Sequence, residues 1–453
     1  MGDSNLSLLW KVLQRRRVLE RSNRWTREGL AAHQQASVSE LRRFAMERSP
    51  FYARFHRGME GKPLTELPVL TKPMMMENFD DLVTDRAVRL ADVEAYLTAC
   101  DGAGLFRERY VTLATSGTTG QRGVFLFDPQ EWLTALASIS RPLEWAERHY
   151  NWFRPTRVAM IAANSPSHYS GRIGSELSNA LMPSLRLEAS EPMKVLVEKL
   201  NEWQPVMLAT FPSVLRALAE EQLAGRLRIK LRQVTTSAES LTEEVRRRVR
   251  EAWNAKVYNT YGATEYSPIA AECRHGRLHL MEDGALIEVA DENGPVPMGV
   301  QGNRILLTVF DRRTQPLIRY ELSDVVRAIE GRCECGRPFQ MIEAVEGRRE
   351  EVLVLQAPDG TPVWFHQVAL QQVIETVPSA GWQVIEREAG LSVHLIGVRD
   401  RAAMEQLAPK VSAMLEAHGA APVAVEVREV EKLQRGRTGK ALMILRRERA
   451  QGA

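Results

Sequence analysis

Long apolar runs are missing from this chain. No part of its 453 residues approaches the roughly 18 consecutive apolar positions that a membrane-spanning helix needs. The N-terminal LSLLW runs straight into KVLQRRR, the pattern of an amphipathic surface helix and not of an export signal. A cytoplasmic location and no membrane partner are therefore expected. Cysteine is equally sparse. Four residues, at 100, 273, 333 and 335, cannot staple a chain of this size. Neither sign of charge dominates: 60 basic against 57 acidic residues leave +3, which gives no reason to expect nucleic acid as a partner. Repeats and low-complexity segments are absent, and so is the common nucleotide loop GxxxxGK[ST].

What remains is an ordinary soluble composition on a chain long enough for two or three domains. The first 57 residues carry apolar positions at helical spacing among many arginines, and Thr71 is placed to cap a helix opened by Pro73. Between residues 157 and 262, β-rich runs (RVAMIAA, VMLATF, QVTTSAE, AKVYNTYG) alternate with helical stretches, which predicts an α/β fold with a parallel sheet flanked by helices. Residues 277–330 read as hairpins or a small barrel. After Gly347 the pattern turns to α+β. The expected division is therefore a large domain over 1–346 and a small one over 347–453.

Chemistry concentrates in a few places. TSGTTGQRG at 115–123 gathers hydroxyls and glycines behind a short apolar segment, so that its backbone N–H groups can face phosphate oxygens. Taken alone, the string is equally a flexible surface loop. YNTYGATEYS ends another β-like run, and in open parallel sheets ligands sit at such carboxyl ends. Beside phosphates, Glu265 needs a bridging divalent cation, and magnesium is bound by few carboxylates plus phosphate oxygens. Asp324 offers oxygens suited to a ribose diol, although an aspartate in a turn commonly caps its own backbone. The pieces ECRHGRLH and GRCECGRP supply Cys273, Cys333 and Cys335 with His275 or His279, enough for a tetrahedral zinc site. The competing reading is a set of reduced thiols.

The order of these pieces resembles one family. TSGTTG, SAE at 237–239, YGATE, RYxxxD, GRxxE and a terminal TGK at 438–440 match the motif series of the adenylate-forming superfamily, the acyl- and aryl-CoA ligases. RSPFYARF, LPVLTKPMM and GRTGKA resemble the phenylacetate-CoA ligase branch. The resemblance implies a phosphate loop of Thr115, Ser116, Gly117, Thr118, Thr119 and Gly120, and an adenine border of Ala238, Glu239, Asn259, Thr260 and Tyr261. It further implies Thr264 on the α-phosphate, Glu265 on Mg²⁺, and Asp324 with Arg348 on the ribose. Lys440 would be the catalytic cation, carried on a small mobile C-terminal domain that turns about a hinge at Glu350. Among the zinc ligands it favours His279.

The implied activity is conversion of a carboxylic acid and ATP to an acyl-adenylate, followed by transfer to coenzyme A. A carrier protein or an amine is the alternative acceptor, and a homodimer is expected from the branch. Trp145, His149, Tyr150, Trp152, Tyr169 and Phe211 offer surface for an aromatic or medium apolar acid, if they are not simply core. Gln121 where lysine is usual, Asn259 where aspartate is usual, and Glu350–Glu351 at the hinge mark a divergent member.

Overall fold

The computed structural model describes residues 2–99, 104–115, 122–146, 155–162, 167–176, 178, 182–189, 191–343, 345, 353–365, 370, 373–379, 381–434 and 443–446. Three helices, Gly2–Leu19, Arg27–Arg48 and Pro50–Phe55, cover the arginine-rich N terminus. Their boundaries follow from capping. Thr26 accepts from Gly29 N, Ser49 from Tyr52 N, and Thr71 from Met74 N at the start of Lys72–Glu77, with proline in the first turn of the last two.

Strands β1 (Val111–Ala114) and β2 (Val124–Phe127) form an antiparallel pair with every residue buried. Then come β3 (Val158–Ala162), β4 (Ser184–Glu188), β5 (Met207–Thr210), β6 (Gln233–Ser237) and β7 (Lys256–Tyr261), all paired in parallel. Helices Met193–Trp203, Pro212–Leu223 and Glu243–Trp253 separate β4 to β7 and share a core with them around Leu196, Leu208, Leu215, Val234 and Val249. β3 and β5, VAMIA and MLAT, are buried or half-buried at every position and read as apolar runs.

The next segment takes the expected hairpins, set in open sheets and not in a closed barrel. β8 (Ala270–Glu272), β9 (Leu278–Leu280), β10 (Ala285–Asp291), β11 (Gly294–Pro295), β12 (Gln301–Gly302), β13 (Arg304–Val309), β14 (Tyr320–Leu322), β15 (Val326–Ile329) and β16 (Met341–Ile342) divide between two open sheets. One is four-stranded, in the order β11-β10-β13-β14, and the other is the large sheet extended to β12-β15-β16-β9-β8-β7-β6-β5-β3-β4. The chain changes sheet at Gly302, where a Cβ would stand 2.7 Å from Val289 Cγ1 and 2.8 Å from the Ala290 carbonyl oxygen. Only glycine lets the backbone press against β10 and pass on.

The last part holds a hairpin, β17 (Leu353–Gln356) and β18 (Pro362–Phe365), and a sheet of β19 (Gly381–Arg387), β20 (Gly390–Ile396), β21 (Val425–Glu429) and β22 (Ile444–Leu445), in the order β21-β20-β19-β22. Helix Leu407–Ala417 closes a core of Trp382, Val393, Leu395 and Val411. Outside that helix, this last part meets the large sheet's helices through Arg399–Glu220 at 2.7 Å and Arg216–Glu375 at 3.6 Å. No described helix is long and apolar enough to cross a membrane.

Candidate active site

The hydroxyl-rich loop springs from the β1–β2 pair. Thr115 N donates to Gly123 O at 2.9 Å and Gly123 N to Thr115 Oγ1 at 2.8 Å, so the two ends of the loop are tied together. Ser116, Gly117, Thr118, Thr119 and Gly120 lie outside the described residues, as do Arg348, Glu350 and Lys440. Beside the loop's base, Ala114 N donates to Ser167 O and Ala114 O lies 3.1 Å from His168 Nδ1.

At the carboxyl end of β6 Ala238 adopts φ +68, and Glu239 accepts from Ser213 N at 2.9 Å and from Ser213 Oγ at 3.1 Å. The Glu239 carboxylate therefore caps helix Pro212–Leu223. At the end of β7, Asn259 N donates to Glu272 and the Tyr261 hydroxyl donates to Asp324 Oδ2 at 2.7 Å, out of solvent. Thr260, one residue earlier, pairs across to Ala271. The following turn carries Thr264 and Glu265. Gly262 packs closely on the turn: a Cβ there would stand 2.5 Å from Ser267 Oγ, so that hydroxyl would have to turn away. Glu265, 2% exposed, accepts from the Tyr320 hydroxyl at 2.9 Å.

Two carboxylates are thus each buried against one tyrosine hydroxyl, a neutral donor that orients them without cancelling their charge. Carboxylates are the right chemistry for a ribose diol and for a hard cation, so Asp324 and Glu265 fit the groups expected there. Tyr320 lies within the RYxxxD stretch, but no role was legible for it. Neither was any for Arg312. It is 3% exposed, its guanidinium stands 3.8 Å over the Phe127 ring, and none of its three nitrogens has a hydrogen-bond partner among the described residues. Burial pulls its pKa down, opposed by the charges of Glu131 and Glu265.

Of the aromatic candidates, Tyr169 donates to Ser267 O at 3.3 Å beside the Glu265 turn, and its ring meets Trp132 edge-on. Trp145 does not belong with it: the ring stacks on Phe339 at 5.8 Å and packs against His279. Phe211 is buried in the core beside Leu208 and Leu215. His149, Tyr150 and Trp152 fall outside the described residues.

Cys273, His279, Cys333 and Cys335 converge, with all four ligand atoms within 4.8 Å of one another. Cys273 Sγ is 3.7 Å from Cys333 Sγ, and Cys335 Sγ is 3.4 Å from His279 Nε2. The other His279 nitrogen, Nδ1, faces Phe339 O at 3.2 Å, which leaves Nε2 toward the sulfurs. The hydrogen bond from Cys273, and then His279, hold the Cys335 thiol well below the ordinary range, while the same bond and burial push Cys273 up. Three sulfurs and one backed imidazole are a donor set of the right chemistry for zinc. His275 stands apart on the surface, paired with Glu334 at 3.3 Å.

Residues 109–306 match the family described as AMP-binding enzyme. The chain is 26% identical over 380 residues to a phenylacetate-coenzyme A ligase of Thermus thermophilus, covering 80% of each. It is 22% identical over 307 residues to Protein CapK of Staphylococcus aureus, covering 65% of this chain and 62% of that one. In three dimensions it is similar to a 2-hydroxyisobutyryl-CoA ligase in the postadenylation state in complex with R3-HIB-AMP. That match has a TM-score of 0.71 at 19% identity and covers 95% of this chain and 92% of that one.

Proposed function

On the premise that this chain is a member of the adenylate-forming superfamily, we propose that it is an acid–thiol ligase, joining a carboxylic acid to coenzyme A by way of an acyl-adenylate. The observation that carries this reading is the pair of buried tyrosine–carboxylate contacts, Tyr261–Asp324 and Tyr320–Glu265, with the Tyr320 ring against Phe125 of β2. The substrate acid's oxygen attacks the α-phosphorus of ATP, the bond to the β-phosphate oxygen breaks, and pyrophosphate leaves. The acceptor thiol, having lost its proton, then attacks the acyl carbonyl and AMP departs.

Asp324, held by Tyr261, accepts from the ribose hydroxyls, and Arg348 donates to their oxygens. Thr264 faces the α-phosphate, and residues 115–120 donate to the remaining phosphates. Magnesium held by Glu265 would neutralise the charge that gathers on the phosphates. Lys440, on a lid domain spanning 347–453 and hinged at Glu350, supplies a second cation during the first step and withdraws for the second. Tyr169 beside the Glu265 turn supports an aromatic or medium apolar acid. Cys273, His279, Cys333 and Cys335 would hold a structural zinc.

Acid-dependent ATP–pyrophosphate exchange across a panel of acids tests the reading. Exchange with at least one acid is expected, together with AMP release on adding coenzyme A. Lys440→Ala is expected to lose exchange by about 10²-fold or more while binding ATP as before. Folded protein that exchanges with no acid, or a fully active Lys440→Ala, would overturn it.

A further inference from the structure

Among the described residues the buried arginines are Arg141, Arg172, Arg216, Arg319 and Arg312. The first four each have a carboxylate within reach, in that order Asp283 at 2.9 Å, Glu176 at 2.6 Å, Glu375 at 3.6 Å and Glu288 at 3.1 Å. Arg312 has no such partner among the described residues, and its Nε, Nη1 and Nη2 all lack a hydrogen bond. A guanidinium carries five N–H donors and cannot escape burial by losing its proton. Leaving those donors unmade is costly unless something accepts from them.

The segment that carries Arg312 is nevertheless firmly held. It joins β13 to β14, and Arg313 N and Thr314 N both donate to Glu131 Oε1, at 2.6 and 2.7 Å. Gln315 fastens it to β2, accepting from Leu126 N at 3.0 Å and donating to Val124 O at 3.1 Å. The neighbouring carboxylates are engaged elsewhere. Glu131 accepts from these backbone groups and from Asp128 N, and Glu265 from the Tyr320 hydroxyl. Their charges favour the guanidinium, Glu131 first and then Glu265, without meeting its N–H groups.

We propose that Arg312 binds an oxyanion of a reactant in the adenylation site, the carboxylate of the acid or a phosphate of ATP. The inference rests on the ligase reading and adds to it a cation that the motif series does not contain. Arg312 lies within range of Glu265 and of Tyr169, which donates to Ser267 O in the Glu265 turn. β14, which follows, brings Tyr320 to Glu265, so one stretch of chain supplies both the hydroxyl that orients the carboxylate and the unpaired cation. ATP with one Mg²⁺ keeps a net negative charge, and a carboxylate stripped of water needs donors. A guanidinium fork meets either anion with two parallel N–H···O bonds. A charge that costs stability in the free protein and is satisfied by the ligand is a common trade between stability and function.

Arg312→Met keeps an unbranched stem while removing the charge and the donors, and Arg312→Lys keeps the charge while removing the fork. Calorimetric titration of the full chain with MgATP, and with pyrophosphate in the presence of Mg²⁺, reads the phosphate arm. The carboxylate arm is KM, in ATP–pyrophosphate exchange, for whichever acid of the panel is exchanged. Arg312→Met is expected to weaken one arm about tenfold or more, and Arg312→Lys about threefold or more. Tm of Arg312→Met should hold or rise, because an unpaired buried charge has gone. Weaker MgATP and pyrophosphate identify a phosphate; a rise confined to KM for the acid identifies the carboxylate. Adenosine, which carries no oxyanion, should bind the variants as it binds the wild type. Should Arg312→Met fail to fold, Arg312→Lys carries the test. Changes below about threefold in both arms, or a loss for adenosine as large as that for MgATP, would overturn the proposal, the second result marking a local loss of structure. Wild-type protein that exchanges with no acid would defeat the ligase reading alone, and the two phosphate probes would then decide for Arg312.

Discussion

At the scale of single residues, buried hydroxyls and rings set the sharpest expectations. Tyr261→Phe removes only the oxygen that donates to Asp324 at 2.7 Å. A hydrogen bond to a charged group is worth about 1.5–3 kcal/mol, so KM for ATP should rise roughly tenfold with a smaller effect on kcat. Steady-state kinetics with an unchanged KM would show that Asp324 needs no such support. His56 concerns stability instead. It is fully buried among the rings of Tyr52 and Phe55, and neither of its nitrogens is hydrogen-bonded. Burial, then the Arg42 charge, pulls its pKa from 6.5 down to about 4. The unfolded chain therefore takes up a proton first as pH falls. The stabilising contribution is complete above pH 6.5 and is lost as pH drops toward about 4, at most about 3 kcal/mol in all. His56→Phe should flatten the acid limb of Tm against pH in thermal melts across that window; an unaltered limb would place the acid sensitivity elsewhere.

Among elements, those legible beforehand are the ones whose burial is written locally. RVAMIAA, VMLATF, QVTTSAE and AKVYNTYG became β3, β5, β6 and β7, because their many β-branched, aromatic and apolar residues suit a pleated, largely buried strand. Thr71 and Pro73 marked a real helix start for an equally local reason. The crossing of the chain at Gly302 was hidden, since what demands glycine is the proximity of Val289 and Ala290 on another strand. Arg312 was hidden too, its burial depending on the distant Phe127. The cysteine–histidine cluster lies between these cases: its ligands were readable, but the choice of His279 follows from pairing, Met341 of β16 opposite His279 of β9. A metal there would tie the turn between β8 and β9 to the loop between β15 and β16. Cys333→Ser should lower bound zinc from about one per chain toward zero and Tm by ~4 °C or more. Metal retention should also fall with pH, because the ligands must lose their protons. Elemental analysis of the wild-type chain showing no bound zinc would remove this role and leave three reduced thiols.

On the scale of the whole molecule, the bridges between the two parts matter most. Arg216, 3% exposed on helix Pro212–Leu223, lies 3.6 Å from Glu375 and 3.9 Å from Glu244, and burial pulls its pKa down. Glu375 also accepts from Trp382 Nε1 at 3.2 Å, so the bridge is anchored in the core of the smaller part. Arg399–Glu220 at 2.7 Å runs alongside it but is partly solvated, which limits it to about 1 kcal/mol or less. If the lid turns between the two proposed steps, the Arg216–Glu375 bridge belongs to one lid position and must break in the other. Removing it should therefore shift the balance between them and not slow both steps alike. Glu375→Gln is expected to change ATP–pyrophosphate exchange and coenzyme A-dependent AMP release from preformed adenylate in opposite directions, each by a few fold to tenfold. Arg399→Ala should alter either rate by less than about threefold, and less still at high salt. Parallel losses in both half-reactions for Glu375→Gln would mean that the bridge serves only to hold the fold together; no change in either would mean that it is too weak to bias the lid.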